Sequence, residues 1–309
     1  MDINEAVQAP SFGRHESFHP RYGWLKKAHD QVSKKTDVFR ADDATVRFGV
    51  GKNMVRAIRF WSLAFKITKE GAKSGLMITD LGDLIFRDGT GLDPYLERPE
   101  TLWILHWLLL APPCRVPTWW LIINQISGTV VGTRDLQDTV QELVKNNPQW
   151  NSPSPASVKR DIDVFLHTYT SKRDRLTIEE YIDCPFRNMN LIGHSEDVIR
   201  FMFGPKTGLT PAVVAFACAD FAARTGVQGE VSIARLAVEQ GSVGNAFKMN
   251  EADLADSLKA FCSDATIMSV SRINGEPHLV FKGDIKEAAK TVLEASYVKS
   301  SKRVLMGAI

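Results

Sequence analysis

Residues 250–283 read NEADLADSLKAFCSDATIMSVSRINGEPHLVFKG, and the order of features in them decides the fold class. Asn250 stands ahead of a run with apolar residues at helical spacing. Its side-chain oxygen can accept an orphan amide of the first turn, which makes it an N-cap. The runs ATIMSVSRI and PHLVFKG then flank Asn274-Gly275. Asn-Gly tolerates two positive φ angles in succession, so the pair predicts a tight type I′ hairpin. Upstream, TPAVVAFACADFAART offers Thr210 as a cap with Pro211 in the first turn, and VSIARLAVEQG supplies another helix. Three helices followed by a hairpin is the winged-helix order, expected over residues 206–309. Arg272 and Lys282 on the hairpin can meet a phosphate backbone, but wings also serve protein–protein contact.

Working toward the N-terminus, SVKRDIDVFLHTYT turns Val158, Ile162, Phe165 and Tyr169 inward and Lys159 and Arg160 outward. Before it, TRDLQDTVQELVKN has Thr133 as a cap and Leu136, Val140, Leu143 and Val144 on one face. A middle unit over 112–205 is therefore a second helix-turn-helix or a plain helical pair. Residues 42–66, DDATVRFGVGKNMVRAIRFWSLAFK, read as a short helix, a Gly-Val-Gly turn and a longer helix. Val55, Ile58, Trp61 and Phe65 form its core stripe, leaving Lys52, Asn53, Arg56 and Arg59 to face phosphates or base edges. The same division also describes an amphipathic helix with solvated cations. MITDLGDLIF, capped by Thr79, and RPETLWILHWLLL, with Pro99 in its first turn, complete a unit over 1–111. The expected class is mainly α with short β-hairpins, built from helix-turn-helix and winged-helix units in tandem.

The chain has 309 residues, 44% of them hydrophobic and 24% charged, which is an ordinary globular composition with enough length for more than one core. Cys114, Cys184, Cys218 and Cys262 form no CxxC pair, which argues against a zinc ribbon or a secreted disulfide framework. MDINEAVQAP lacks the apolar core of a signal, and the greasy run Leu102–Ala111 is too short to span a bilayer. A cytoplasmic protein with no membrane association is the expectation. Net charge is only +2, yet residues 10–75 hold fourteen Lys/Arg against six acids, leaving the remainder of the chain net acidic. A basic segment interleaved with aromatics suits a polyanion, because each neutralised phosphate releases counterions. A merely solvated face is the other reading.

Residues 12–27, FGRHESFHPRYGWLKK, concentrate cations, imidazoles and a carboxylate. Arg14 and Arg21 could clamp a phosphate, His15 or His19 could move protons, and Glu16 could hold a divalent metal such as Mg²⁺ or Mn²⁺ or orient a water. Phosphodiester hydrolysis needs that combination, since charge builds on non-bridging oxygens while a water is activated. No H-N-H array, GIY-YIG pair or PD-ExK core accompanies it. The alternative is a segment whose Phe12, Phe18, Tyr22 and Trp24 pack inward while its Arg and His bind a phosphate or a neighbouring side chain.

These residues, followed by RFGVGKNMVRAIRFW and then DLGDLIF, LDPYLERPETLWILHWLL, SVKRDIDVFLHTY and YIDCPF, resemble the SspB-like family of bacterial DNA phosphorothioation (Ssp) systems. The likeness runs along most of the chain and is weakest in the C-terminal third. It implies a DNA-nicking or DNA-engaging component in single-strand phosphorothioate modification and phage defence. Its implied partners are an ATPase, a cysteine desulfurase and an ATP-pyrophosphatase-like sulfurtransferase. A nick would open the backbone so that sulfur can replace a non-bridging oxygen. No family nuclease motif can be matched position by position, so the resemblance assigns no catalytic residue, and a non-catalytic DNA-binding or adaptor subunit is the alternative. Cys184, between an acid and a proline, reads as a buried apolar residue rather than a persulfide carrier.

Overall fold

The computed structural model describes residues 3–150, 153–170, 183–195, 197–263 and 265–306, with side chains up to residue 297. Its first part follows the expected punctuation. Helix Ala44–Phe48 ends on Gly49 in the left-handed region at φ 63°, and the longer helix Lys52–Ala64 starts three residues later. Val55, Ile58, Trp61 and Phe65 are all buried, as the stripe predicts. Helix Trp24–Lys34 packs across it, and a small antiparallel pair, Thr68–Glu70 with Leu76–Ile78, follows. Thr79 caps the next helix, Asp80–Phe86, by accepting the Gly82 amide.

Helix Pro99–Leu110 is buried at every position from Glu100 to Leu110. A helix apolar all round must be surrounded, and its few polar atoms find partners in distant parts of the chain. Trp103 Nε1 donates to the Thr207 carbonyl at 3.2 Å and Trp107 Nε1 to Asp220 Oδ2 at 2.8 Å. His106 lies 2.9 Å from the Ala246 carbonyl through Nε2 and 2.8 Å from the Tyr169 hydroxyl through Nδ1. The carbonyl can only accept, so Nε2 carries the proton and Nδ1 accepts from Tyr169. Burial pushes the His106 pKa down to about 4, keeping the ring neutral. At the helix C-terminus the Lys66 ammonium donates to the carbonyls of Leu108 and Ala111, satisfying acceptors the helix leaves open.

Two three-stranded antiparallel sheets repeat one topology. Val130–Gly132 pairs with Val198–Phe201, which also pairs with Ile192–Ser195. Glu230–Ser232 likewise pairs with Glu276–Phe281, which also pairs with Met268–Ile273. In each, a three-residue strand leads straight into a helix, Thr133–Lys145 or Ile233–Val238, and lies beside the last strand of a later hairpin. The Asn274-Gly275 turn has φ 52° and 88°, as the hairpin requires. Thr210 and Asn250 cap their helices through the amides of Val213 and Asp253. Thr133 differs from expectation: it is the first helical residue, with Gly132 as the cap position. A C-terminal helix, Ile285–Met306, packs along Pro211–Arg224 and was not foreseen. The buried apolar residues form one continuous cluster from Ile3 to Tyr297.

Candidate nucleic-acid interface

The segment around Phe12 is held by a buried acid distant in sequence. Asp161 is 1% exposed and accepts three hydrogen bonds: the Gly13 amide at 2.8 Å, His15 Nε2 at 2.8 Å and the Thr118 hydroxyl at 3.0 Å. His15, equally buried, accepts the Ser17 amide on Nδ1 at 3.0 Å. Nδ1 is therefore unprotonated and Nε2–H points at the carboxylate. Trp61 stacks parallel to the imidazole with centroids 6.2 Å apart, and Phe60 and Trp119 meet it edge-on. This clamp fixes Glu16 and Ser17 in the left-handed region, at φ 51° and 64°, a conformation non-glycine residues adopt only when their surroundings over-determine it.

The five residues grouped for catalysis fall into three environments. His15 is sealed inside. Arg14 is exposed with no ion-pair partner among the described residues, and Glu16 lies 3.7 Å from Arg56, at the basic helix. His19 and Arg21 belong to another neighbourhood, where Arg21 pairs with Asp183 at 2.9 Å and lies over the rings of Phe18 and Trp24. Burial first, then the cations Arg187 and Arg21, drive the His19 pKa down to about 3, so its ring is neutral near pH 7.

The residues proposed to face DNA divide similarly. Lys52, Asn53 and Arg56 are exposed on the outer side of Lys52–Ala64, opposite its buried stripe. Arg59 is half-buried and 4.0 Å from Glu70, which Arg115 also approaches at 3.6 Å. Lys159 and Arg160 are exposed on helix Pro155–Tyr169, the helix that carries Asp161. The Phe12–Ser17 loop thus ties the cationic helix Lys52–Ala64 to helix Pro155–Tyr169, through Glu16 to one and His15 to the other. A cleft of about 400 Å³ opens beside Lys52 and Arg56, with Phe39, Arg40 and Val55 among its lining residues.

Several of the fourteen N-terminal cations are consumed internally: Lys26 by Asp30 and Asp88 at 2.5 Å each, Arg47 by Asp43 at 2.8 Å, Arg21 by Asp183, and Lys66 by carbonyls. Lys66 is desolvated enough that its pKa falls to about 7. The exposed contacts of Arg56 and Arg59 are long, and such pairs hold a cation weakly. Sequence reasoning missed Asp161, although a carboxylate between the inward Val158 and Ile162 was a usable signal. It also passed over Phe39, whose place in the cleft depends on a turn no local pattern announces. Cys184 is buried, with Sγ 3.4 Å from the Thr168 carbonyl and its pKa pushed up to about 12, which suits an inert thiol.

Residues 12–297 match a family described as "Protein of unknown function (DUF4007)". Two solved structures, an SspB crystal structure and a magnesium ion-bound SspB crystal structure, are similar along nearly the whole length. Each is 34% identical with a TM-score of 0.87, covering 96% of this chain and 90% of the other. No curated protein sequence matches the chain significantly. Among the described residues no helix is long and apolar enough to cross a membrane.

Proposed function

The chain belongs to the DUF4007 family and is SspB-like, and from that premise we propose that it engages DNA as a component of a single-strand phosphorothioation system of the Ssp type. The observation carrying this reading is the two-sided character of Lys52–Ala64, with Lys52, Asn53 and Arg56 toward solvent and Val55, Ile58 and Trp61 locked in the core. A helix so anchored presents cations without paying to order them when a polyanion arrives. In the same reading, the two repeated three-stranded topologies are winged-helix units, and Lys159 and Arg160 extend the cationic surface beyond the first unit. The ATPase, cysteine desulfurase and sulfurtransferase implied by the family likeness are the partners expected to co-purify.

Strand nicking is the extension that the likeness adds. Glu16, which reaches the basic helix, and the exposed Arg14 are its best-placed participants, because His15 is enclosed. One SspB structure is magnesium-bound, but among the described residues of this chain no three His, Cys, Asp or Glu side chains converge to hold a metal.

Fluorescence anisotropy with duplex DNA across a salt series tests the binding reading. Arg56→Ala and Lys52→Ala should each weaken binding and flatten the log–log salt slope by about 0.9 per lost phosphate contact. An unchanged slope in the double variant rules this face out. Relaxation of supercoiled plasmid in Mg²⁺ or Mn²⁺ tests nicking, with Glu16→Gln expected to slow it; plasmid left intact, with partners present, removes the nickase extension.

A further inference from the structure

The cleft beside the basic helix is shaped for less than a duplex. Its volume of about 400 Å³ suits one nucleotide, and its walls differ in chemistry. On one side lies Phe39, partly buried, with one ring face stacked on Phe48 at a centroid distance of 4.7 Å, and Val55 stands near it in the lining. Arg40, Lys52 and Arg56 supply cations, and Asp42 supplies a single carboxylate. Arg40 hydrogen-bonds the Lys73 carbonyl at 3.4 Å and Arg56 has only its 3.7 Å contact to Glu16, so neither is neutralised by a close ion pair.

A duplex backbone has no use for a flat aromatic wall, since its bases are already stacked on each other. An unstacked base does, because every base has a π-face to lay on such a ring. We infer that the cleft between residues 39–45 and 52–56 receives one unstacked nucleotide of a DNA strand, its base against Phe39 and Val55 and its phosphate among Arg40, Lys52 and Arg56. Asp42 can accept from an exocyclic amine, which favours adenine or cytosine over thymine. The inference rests on the DNA-binding reading and adds to it a preference for melted or single-stranded substrate.

The test uses the full-length protein, a labelled single strand of about twelve nucleotides and the matching blunt duplex. Phe39→Ala is expected to weaken single-strand binding about tenfold, equivalent to about 1.4 kcal/mol, and to leave duplex binding within about twofold. Phe39→Tyr, which keeps the ring, should restore it. Equal loss on both probes, or none on the single strand, overturns the nucleotide pocket while DNA binding as such still stands. A parent protein that binds neither probe overturns both readings. Should Phe39→Ala fail to fold, Phe39→Leu keeps bulk against Phe48 without a π-face and carries the same expectation.

Discussion

Replacing Asp161 by alanine should destabilise the protein and, on the proposed DNA-binding reading, also weaken DNA binding, although Asp161 itself is out of solvent's reach. The substitution leaves the Gly13 amide, His15 Nε2–H and Thr118 hydroxyl without their acceptor. The hydroxyl can rotate to another partner, so the two N–H groups dominate. At roughly 2 kcal/mol for each orphaned buried donor, the loss is about 4 kcal/mol. Unfolding entropy of about 2.1 cal/mol/K per residue turns that into a fall in Tm of about 6 °C for a chain of this length. Asp161→Asn keeps an oxygen for the two N–H donors and should cost only about 1–2 kcal/mol. Calorimetry on the three proteins measures both. On the proposed DNA-binding reading, the DNA arm has the more telling sign: deleting a negative charge should strengthen binding by simple Coulomb attraction, whereas loosening the loop whose anchors Gly13 and His15 flank the exposed Arg14 should weaken it. An Asp161→Ala protein melting within about 1 °C of the parent, or binding DNA more tightly, would refute the clamp.

Acid sensitivity should trace partly to His106. Its folded pKa of about 4 lies below the free value of 6.5, so the unfolded chain takes up the proton first. The associated stability is complete above pH 6.5, declines as pH falls toward 4, and amounts to about 3 kcal/mol, so urea titrations of His106→Gln should show a flatter acid limb than the parent. Alkylation of native protein should modify half-buried Cys262 well before Cys114, Cys184 and Cys218, all buried with raised pKa values; early labelling of Cys184 would revive a sulfur-relay role. Gly244→Ala would bring a Cβ to 2.2 Å from the Ala237 carbonyl, and a loss of several kcal/mol, seen as a sharply lowered Tm, is expected.

Local signals made much of this molecule readable. Asn274-Gly275, the caps Thr79, Thr210 and Asn250, and the buried stripes of Lys52–Ala64 and Pro155–Tyr169 all follow from rules spanning a few residues. The strands Val130–Gly132 and Glu230–Ser232 did not show, since three residues carry no alternation and their partners lie about fifty or more positions downstream. The clamp was hidden for the same reason: His15 and Asp161 are 146 positions apart. His15 looked like chemistry because an imidazole between an arginine and a glutamate reads the same whether it points out or in.

The helix Pro99–Leu110, enclosed from Glu100 onward, bears on how the protein can be inherited and engineered. Its indole and imidazole groups bond Thr207, Asp220, Tyr169 and Ala246, so a fragment ending near Ala111 would bare a greasy rod and leave those polar atoms without partners. Parts from a sister protein would graft only if these docking points travelled with them. Swaps at the apparent seams should therefore yield insoluble chimaeras, while point changes at exposed cations such as Lys52, Arg56, Lys159 and Arg160 leave that packing untouched.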